Sequence, residues 1–149
     1  SDDAALLHET LEFLTKVKGQ SLSENKILLL KKGLYCLKDR VKTLSELVEK
    51  ASFILNNRPI EVSSDAKLSL DETGVAMLDT LTPHLQNVTW KREELEKICN
   101  SVAESFGVKF GKLAPPIRSA LSGQTKTPSV FDMMLVLGRN ETIARLTNV

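Results

Sequence analysis

An all-α fold, a helical bundle of two small subdomains, is what this sequence predicts, and three observations predict it. Leucine is abundant and recurs at three- and four-residue spacing. Glycine (7) and proline (5) are scarce, and aromatic residues make up only 5% of the chain, which leans away from a β-sandwich. Ser21 and Thr43 each stand three residues before a Glu and just ahead of an apolar stripe, the pattern of a helix capping box. At 149 residues the chain is one domain, or two subdomains sharing a core.

The elements follow in order. Asp2 or Asp3 can cap a first helix, with Leu6, Leu7, Leu11, Phe13, Leu14 and Val17 in one stripe and Gly19 at its end. Ser21-Leu22-Ser23-Glu24 reads as a capping box for a helix carrying Ile27, Leu28, Leu30, Leu34 and Leu37. Thr43-Leu44-Ser45-Glu46 is the second box, opening a helix that runs through Leu47, Val48, Ala51 and Phe53 to Leu55. Asn56-Asn57-Arg58-Pro59 breaks it, because a residue before proline avoids the helical region. Residues 56–70 are polar and acidic and read as a linker, dividing subdomain 1 (residues 1–60) from subdomain 2 (residues 61–149). Leu70 to Val88 then reads as a helix burying Val75, Leu78, Leu81 and Leu85, disturbed by Pro83. Thr89 is positioned to cap a helix with Trp90, Leu95, Ile98, Val102 and Phe106 on one face. Lys112 to Leu121 is a short helix with Pro115-Pro116 near its first turn. Thr127 caps the next, with Pro128 at its first position and Phe131, Met134, Leu135 and Leu137 inward. Asn140 caps the last, Glu141 to about Leu146. No internal repeat or low-complexity tract interrupts this order.

Composition narrows the function. Cys36 and Cys99 each lie in an apolar helical pattern and read as buried, reduced thiols, as in cytosol. No signal or lipidation motif is visible, and no apolar run is long enough to span a bilayer, so the expectation is a cytoplasmic protein with no membrane partner. Net charge is +1, but positions 31–50 hold six cations against three acids, whereas positions 51–88 hold two against five. Basic groups gather again at Lys109, Lys112, Arg118 and Lys126. Local concentrations of this kind can hold a polyanion even on a neutral chain.

Tests for catalysis fail one after another. His8 and His84 have no Cys or His at metal-ligand spacing. Neither cysteine has a histidine partner, and no Gly-x-Ser-x-Gly elbow, Walker loop or GxGxxG is present. Glu93-Glu94 and Asp71-Glu72 fall at helix starts, where carboxylates complement the macrodipole. What remains is the chemistry of helix starts, which offer unpaired N–H groups to anions. Three carry cations: the Thr43 start follows Lys38, Arg40 and Lys42; the Lys112 start has Arg118 two turns on; the Thr127 start follows Thr125 and Lys126. Arginine can also fork onto a base edge or stack on a base plane. Phe131, Trp90 and Tyr35 are the aromatic candidates for base stacking, with Phe131 in a core stripe.

Two stretches resemble a known family. "KLAPPIRSALSGQTKTPSVFDMMLVLGRNETIARL", Lys112–Leu146, is similar to the C-terminal signature of bacterial glutamyl-tRNA synthetases. Its matching positions are Lys112, Pro116, Arg118, Ala120, Leu121, Ser122 and Gly123; then Thr127, Pro128, Val130, Phe131 and Asp132; then Leu137, Gly138, Arg139, Thr142, Ile143, Arg145 and Leu146. "LKDRVKTLSELVEKASFIL", Leu37–Leu55, resembles the family's Lys-x-Arg-x-Lys-Thr-Leu-x-Glu-Leu segment. Pro115 stands where Gln is more usual and Ser122 where Thr is, so no base contact is assigned to position 115.

The resemblance implies an α-helical anticodon-binding region, the distal part of a class I synthetase that joins glutamate to its tRNA with ATP and Mg²⁺. That chemistry belongs to a Rossmann-type domain with His-Ile-Gly-His-like and Lys-Met-Ser-Lys-Ser-like motifs, neither of which is in this chain. The expectation is therefore a fragment or a freestanding paralogue that needs no cofactor and does not aminoacylate alone. Its partners would be glutamate tRNA, with the glutamine isoacceptor as an alternative, and the catalytic domain of the same polypeptide, in a monomer. The expected RNA-binding residues are Arg40, Lys42, Lys112, Arg118, Gln124, Thr125, Lys126 and Thr127. The rival reading is a helical protein–protein interaction module whose basic patches simply face solvent.

Overall fold

The structure, a computed structural model, describes residues 2–149. Among them nine helices follow one another with no strand between. Helix α1 (Asp2–Lys16) holds Asp2 and Asp3 within its first turn, so both complement the dipole. Helix α2 (Glu24–Leu37) is capped by Ser23, whose Oγ accepts from the Lys26 N–H at 3.2 Å, and not by Ser21 of the expected box. The helix thus starts later, and Glu24 becomes its first residue rather than the reciprocal partner of a cap. Leu28 and Val17 are each 64% exposed, against expectation. Leu28 lies two residues from buried Leu30, nearly half a helical turn away from the stripe, and Val17 falls beyond the last turn of α1.

Helix α3 (Leu44–Lys50) keeps its expected Thr43 cap, with Thr43 Oγ1 accepting from Glu46 N–H at 3.1 Å. Glu46 reaches back to the Lys42 N–H, also at 3.1 Å, one residue beyond the usual box. The run expected to reach Leu55 is split at Ala51 into α3 and α4 (Ser52–Leu55). The short α5 (Ser64–Lys67) lies inside the stretch that reads as a linker. Asp71 caps α6 (Glu72–Leu85), which is shorter than Leu70–Val88 and continues two residues past Pro83. Helix α7 (Arg92–Ser105) starts at Lys91 rather than at Thr89. Helix α8 (Phe110–Ser122) opens before Lys112, placing Pro115-Pro116 in its second turn. Helix α9 (Val130–Leu146) is capped by Ser129, not Thr127, and is interrupted at Gly138 (φ +83°, ψ 170°). The break therefore precedes Asn140, which is already helical.

One contiguous core draws side chains from α1 to α9, including Leu14, Leu30, Phe53, Leu78, Leu113 and Met133. Each fully buried Leu or Phe contributes about 1.5–3 kcal/mol, so such a core is the main source of stability. Trp90 and Phe131, two of the three aromatic stacking candidates, are spent on packing. The Trp90 indole donates to the Met134 carbonyl at 2.9 Å, and the Arg139 guanidinium sits 5.1 Å from its ring centre. Phe131 stacks on Phe110 with centroids 5.0 Å apart. Both cysteines are free and buried, as expected. Burial pushes the Cys99 thiol up to about 12 and Cys36 to about 11, so neither ionises near neutral pH.

The 56–70 segment is fastened down at Arg58 and at Ser63. Ser63 N–H donates to the Gly123 carbonyl at 2.9 Å. Arg58 forks onto Glu141 through Nε and Nη2 at 2.9 and 3.2 Å. Glu141 also accepts from Arg145 at 2.8 Å. Burial alone would raise the Glu141 pKa, but the hydrogen bonds from Arg58 and Arg145 outweigh it and hold the carboxyl below its usual range. A lowered folded-state pKa gives stability that is present above the unfolded pKa and lost as pH falls through the folded one. Urea titrations at neutral pH and below pH 4 should therefore show wild type losing more stability on acidification than Glu141→Gln. An equal acid loss in the two proteins would remove Glu141 from the account.

Candidate nucleic-acid interface

A cleft of about 740 Å³ opens where the C-terminal end of α2 and the turn after it face the start of α9, with Tyr35, Arg40, Lys50, Arg92, Thr127 and Asp132 among its walls. Most of its cations are engaged. Lys38 pairs with Asp3 at 2.8 Å, Lys50 donates to the Asp39 carbonyl at 2.8 Å, and Arg92 pairs with Asp132. Arg40 is exposed and, among the described residues, makes no hydrogen bond or ion pair. Its φ is +59°, the left-handed region that non-glycine residues rarely occupy. The reversal between α2 and α3 thus pins an unengaged guanidinium at the cleft edge.

The corner at 121–132 is built from its own hydrogen bonds. Gly123 closes α8 in the left-handed conformation (φ +73°), its N–H donating to the Ser119 carbonyl at 2.8 Å. Ser122 Oγ donates to the Arg118 carbonyl at 2.8 Å and accepts from the Gln124 N–H at 3.0 Å. Arg118 Nε donates to Thr127 Oγ1 at 3.0 Å, and that hydroxyl donates to the Pro128 carbonyl at 2.7 Å. Thr127 is therefore a strut between α8 and the loop rather than the helix cap expected of it. Arg118 is half-buried with its terminal amino groups left over, and burial pushes its pKa down. An arginine so shifted still keeps its charge at neutral pH. Gln124, Thr125 and Lys126 are exposed.

Six of the eight expected site residues fall together. Arg40 and Thr127 line the same cleft, Arg118 bonds to Thr127, and 124–126 continue from it. Arg118 and Thr125 also face a smaller hollow of about 400 Å³ walled by Leu68 and Pro115. Lys42 stands two residues from Arg40, exposed, with its side chain free of any ion pair among the described residues. Lys112 lies in a separate hollow with Phe106, Val108 and Pro115, away from the cleft. Arg92 is the residue that sequence reasoning misses. It sits at the first position of α7 with no local signal, and only the packing of α7 on α9 brings it to Asp132. Among the described residues, no group of three His, Cys, Asp or Glu side chains could hold a metal ion, and no helix is long and apolar enough to cross a membrane.

A family described as an anticodon binding domain matches residues 4–149. The chain belongs to that family. Glutamate–tRNA ligase 2 of Ruegeria pomeroyi is 51% identical over 146 residues, which cover 98% of this chain and 31% of the relative. The ligase of the same name from Roseobacter denitrificans is 50% identical over 149 residues, 99% of this chain and 32% of the relative. This anticodon-binding domain thus spans about a third of the length of the curated relatives it matches. In fold it resembles the crystal structure of a glutamate tRNA ligase from Elizabethkingia meningosepticum, with a TM-score of 0.76 at 24% identity over 98% of this chain and 28% of that one.

Within this anticodon-binding domain the C-terminal signature divides into two parts. Ser122, Gly123, Gly138 and Arg145 build the frame: a turn, two backbone conformations reserved for glycine, and a buried guanidinium. Arg118, braced by Thr127, and the exposed 124–126 loop are the parts that have groups left for a ligand.

Proposed function

We propose that this anticodon-binding domain holds the anticodon arm of glutamate tRNA as the distal part of a glutamate–tRNA ligase. The observation that carries the reading is the meeting of Arg40 with the Arg118–Thr127 corner around one cleft. Lys126, Gln124 and Thr125 would meet backbone phosphate or a splayed base, Arg40 and Lys42 the phosphates on the other side, and Arg118 a base edge through its spare amino groups. Lys112, in its separate hollow, would contribute at most to the long-range field. The whole ligase would be a cytoplasmic monomer that attaches glutamate with ATP and Mg²⁺ in a catalytic domain of the same polypeptide. This chain's part in that ligase would be recognition of the tRNA.

Filter binding of glutamate tRNA at several salt concentrations tests this. Affinity should be saturable and fall steeply as salt rises. Arg40→Glu and Lys126→Glu should each weaken binding to all tRNA sequences, and neutral replacement of a phosphate contact should lower the salt slope by about one. Arg118→Ala should cost about 1–3 kcal/mol and relax preference at one base. Unchanged affinity in both charge reversals would remove the site. No saturable binding at all would favour the protein–protein module.

A further inference from the structure

We propose that the ring of Tyr35 is the platform on which one unstacked base of the bound RNA lies. This rests on the reading of the ligand as an anticodon arm and selects one of the three aromatic candidates as the stacking face. Tyr35 lines the cleft and is 49% exposed, whereas Trp90 and Phe131 are committed to packing. It is also held still. Its hydroxyl donates to Asp132 Oδ1 at 2.9 Å, and Arg92 clamps the same carboxylate. Burial and the Asp132 carboxylate push the phenol well above its ordinary pKa, so it stays a donor at any physiological pH. A ring fixed before binding loses little side-chain freedom on binding.

The charges around it select the ligand. Lys38 is paired with Asp3 and Arg92 with Asp132 and Glu96, whereas Arg40 has no carboxylate partner among the described residues. The unengaged Arg40 guanidinium at the edge suits a phosphate backbone there. Asp132, beside the ring, repels a phosphate seated there and tolerates a neutral base, whose amino or imino groups it can also meet. Single-stranded nucleic acid sites combine a cationic groove with an aromatic face in this way. The ring supplies affinity without reading sequence, because every base has a π-face.

The probe is an anticodon stem-loop RNA of glutamate tRNA sequence, intact and with an abasic site placed at each loop position in turn. Tyr35→Ala should weaken binding of the intact loop about five- to hundredfold, the range of base–aromatic stacking. The salt slope should not change, since no ionic contact is lost. Tyr35→Phe, which keeps the ring, should retain most of the affinity. At one abasic position wild type should lose the same factor and Tyr35→Ala should lose nothing further. That coupling separates stacking from a disturbed fold, which would weaken every loop equally. Wild-type affinity in Tyr35→Ala, or a loss independent of where the base is removed, overturns the inference while leaving the anticodon reading intact. Absence of saturable binding by wild type would bring down both.

Discussion

Replacing Arg145 with leucine should lower the unfolding free energy by about 3–5 kcal/mol, the cost of breaking a buried, hydrogen-bonded charge by removing one partner. Arg145 is 6% exposed. Its Nη1 donates to the Phe53 and Leu121 carbonyls at 2.7 Å each, its Nη2 to the Asn56 carbonyl at 3.1 Å, and its Nε to Glu141. The carbonyls belong to the ends of α4 and α8, where helices leave acceptors unpaired and present negative dipole ends. One guanidinium therefore satisfies two helix termini and ties α9 to both. Lys26 assists from α2, donating to the Ile54 carbonyl at 2.5 Å. Its pKa is lowered, first by burial and then by repulsion from Arg145. Urea denaturation should show the loss, with a fall in Tm of about 10 °C or more for a chain of this size. Arg145→Lys should recover only part of it, since an ammonium cannot span the separated acceptors as a planar fork does. A change under about 1 kcal/mol for the leucine variant would mean that water replaces the guanidinium at little cost.

Gly123→Ala should be the second severe lesion, and it should damage binding along with stability. The residue has φ +73°, which costs a residue with a Cβ about 1–2 kcal/mol. A Cβ built there would also lie 2.0 Å from the Glu61 carbonyl oxygen and 3.2 Å from the Ile60 side chain. The 60–63 stretch would have to move, breaking the Ser63 N–H bond to the Gly123 carbonyl. The total should reach about 3 kcal/mol or more, with tRNA affinity falling as the 124–127 loop shifts. Gly138→Ala is the comparison. Its φ of +83° with ψ 170° is a region nearly reserved for glycine and strains an alanine more than the left-handed turn does, but nothing lies within 4 Å of the added carbon. It should cost stability through backbone strain alone and leave tRNA affinity nearly unchanged. Equal losses of tRNA affinity in the two variants would show that the 60–63 stretch does not carry the effect to the 124–127 loop.

Legibility in the sequence tracked the range over which each signal acts. The apolar stripes of α1, α2, α6 and α7 were visible because their period of 3.6 is local. Apart from Thr43, caps were found only to within one or two residues. Ser21 and Ser23 compete for one helix start, and Thr127 and Ser129 for another; the backbone chooses by where the preceding chain arrives. Leu28 shows the same limit, since an extra apolar residue on a rich stripe cannot be assigned a side from composition alone. Of the residues at the candidate cleft and its corner, Arg118 and Thr127 stand in the family signature and Arg40 in the basic run ahead of Thr43. Arg92 was not legible, because nothing near it in the chain distinguishes it from any other helix-start arginine.

The sequence by itself determined which stretches are helical, which faces are apolar, and that the C-terminal signature is that of an anticodon-binding domain. Only the tertiary structure decided how that signature divides. Arg118 and Arg145 are both arginines on helices of the same motif, yet one keeps amino groups free beside Thr127 and the other is consumed by carbonyls as far as 92 residues away in the chain. Capping and periodicity act across a few residues, whereas the partners of a guanidinium are set by how whole helices dock. The same reason placed Tyr35, alone of the three aromatic candidates, in the open cleft.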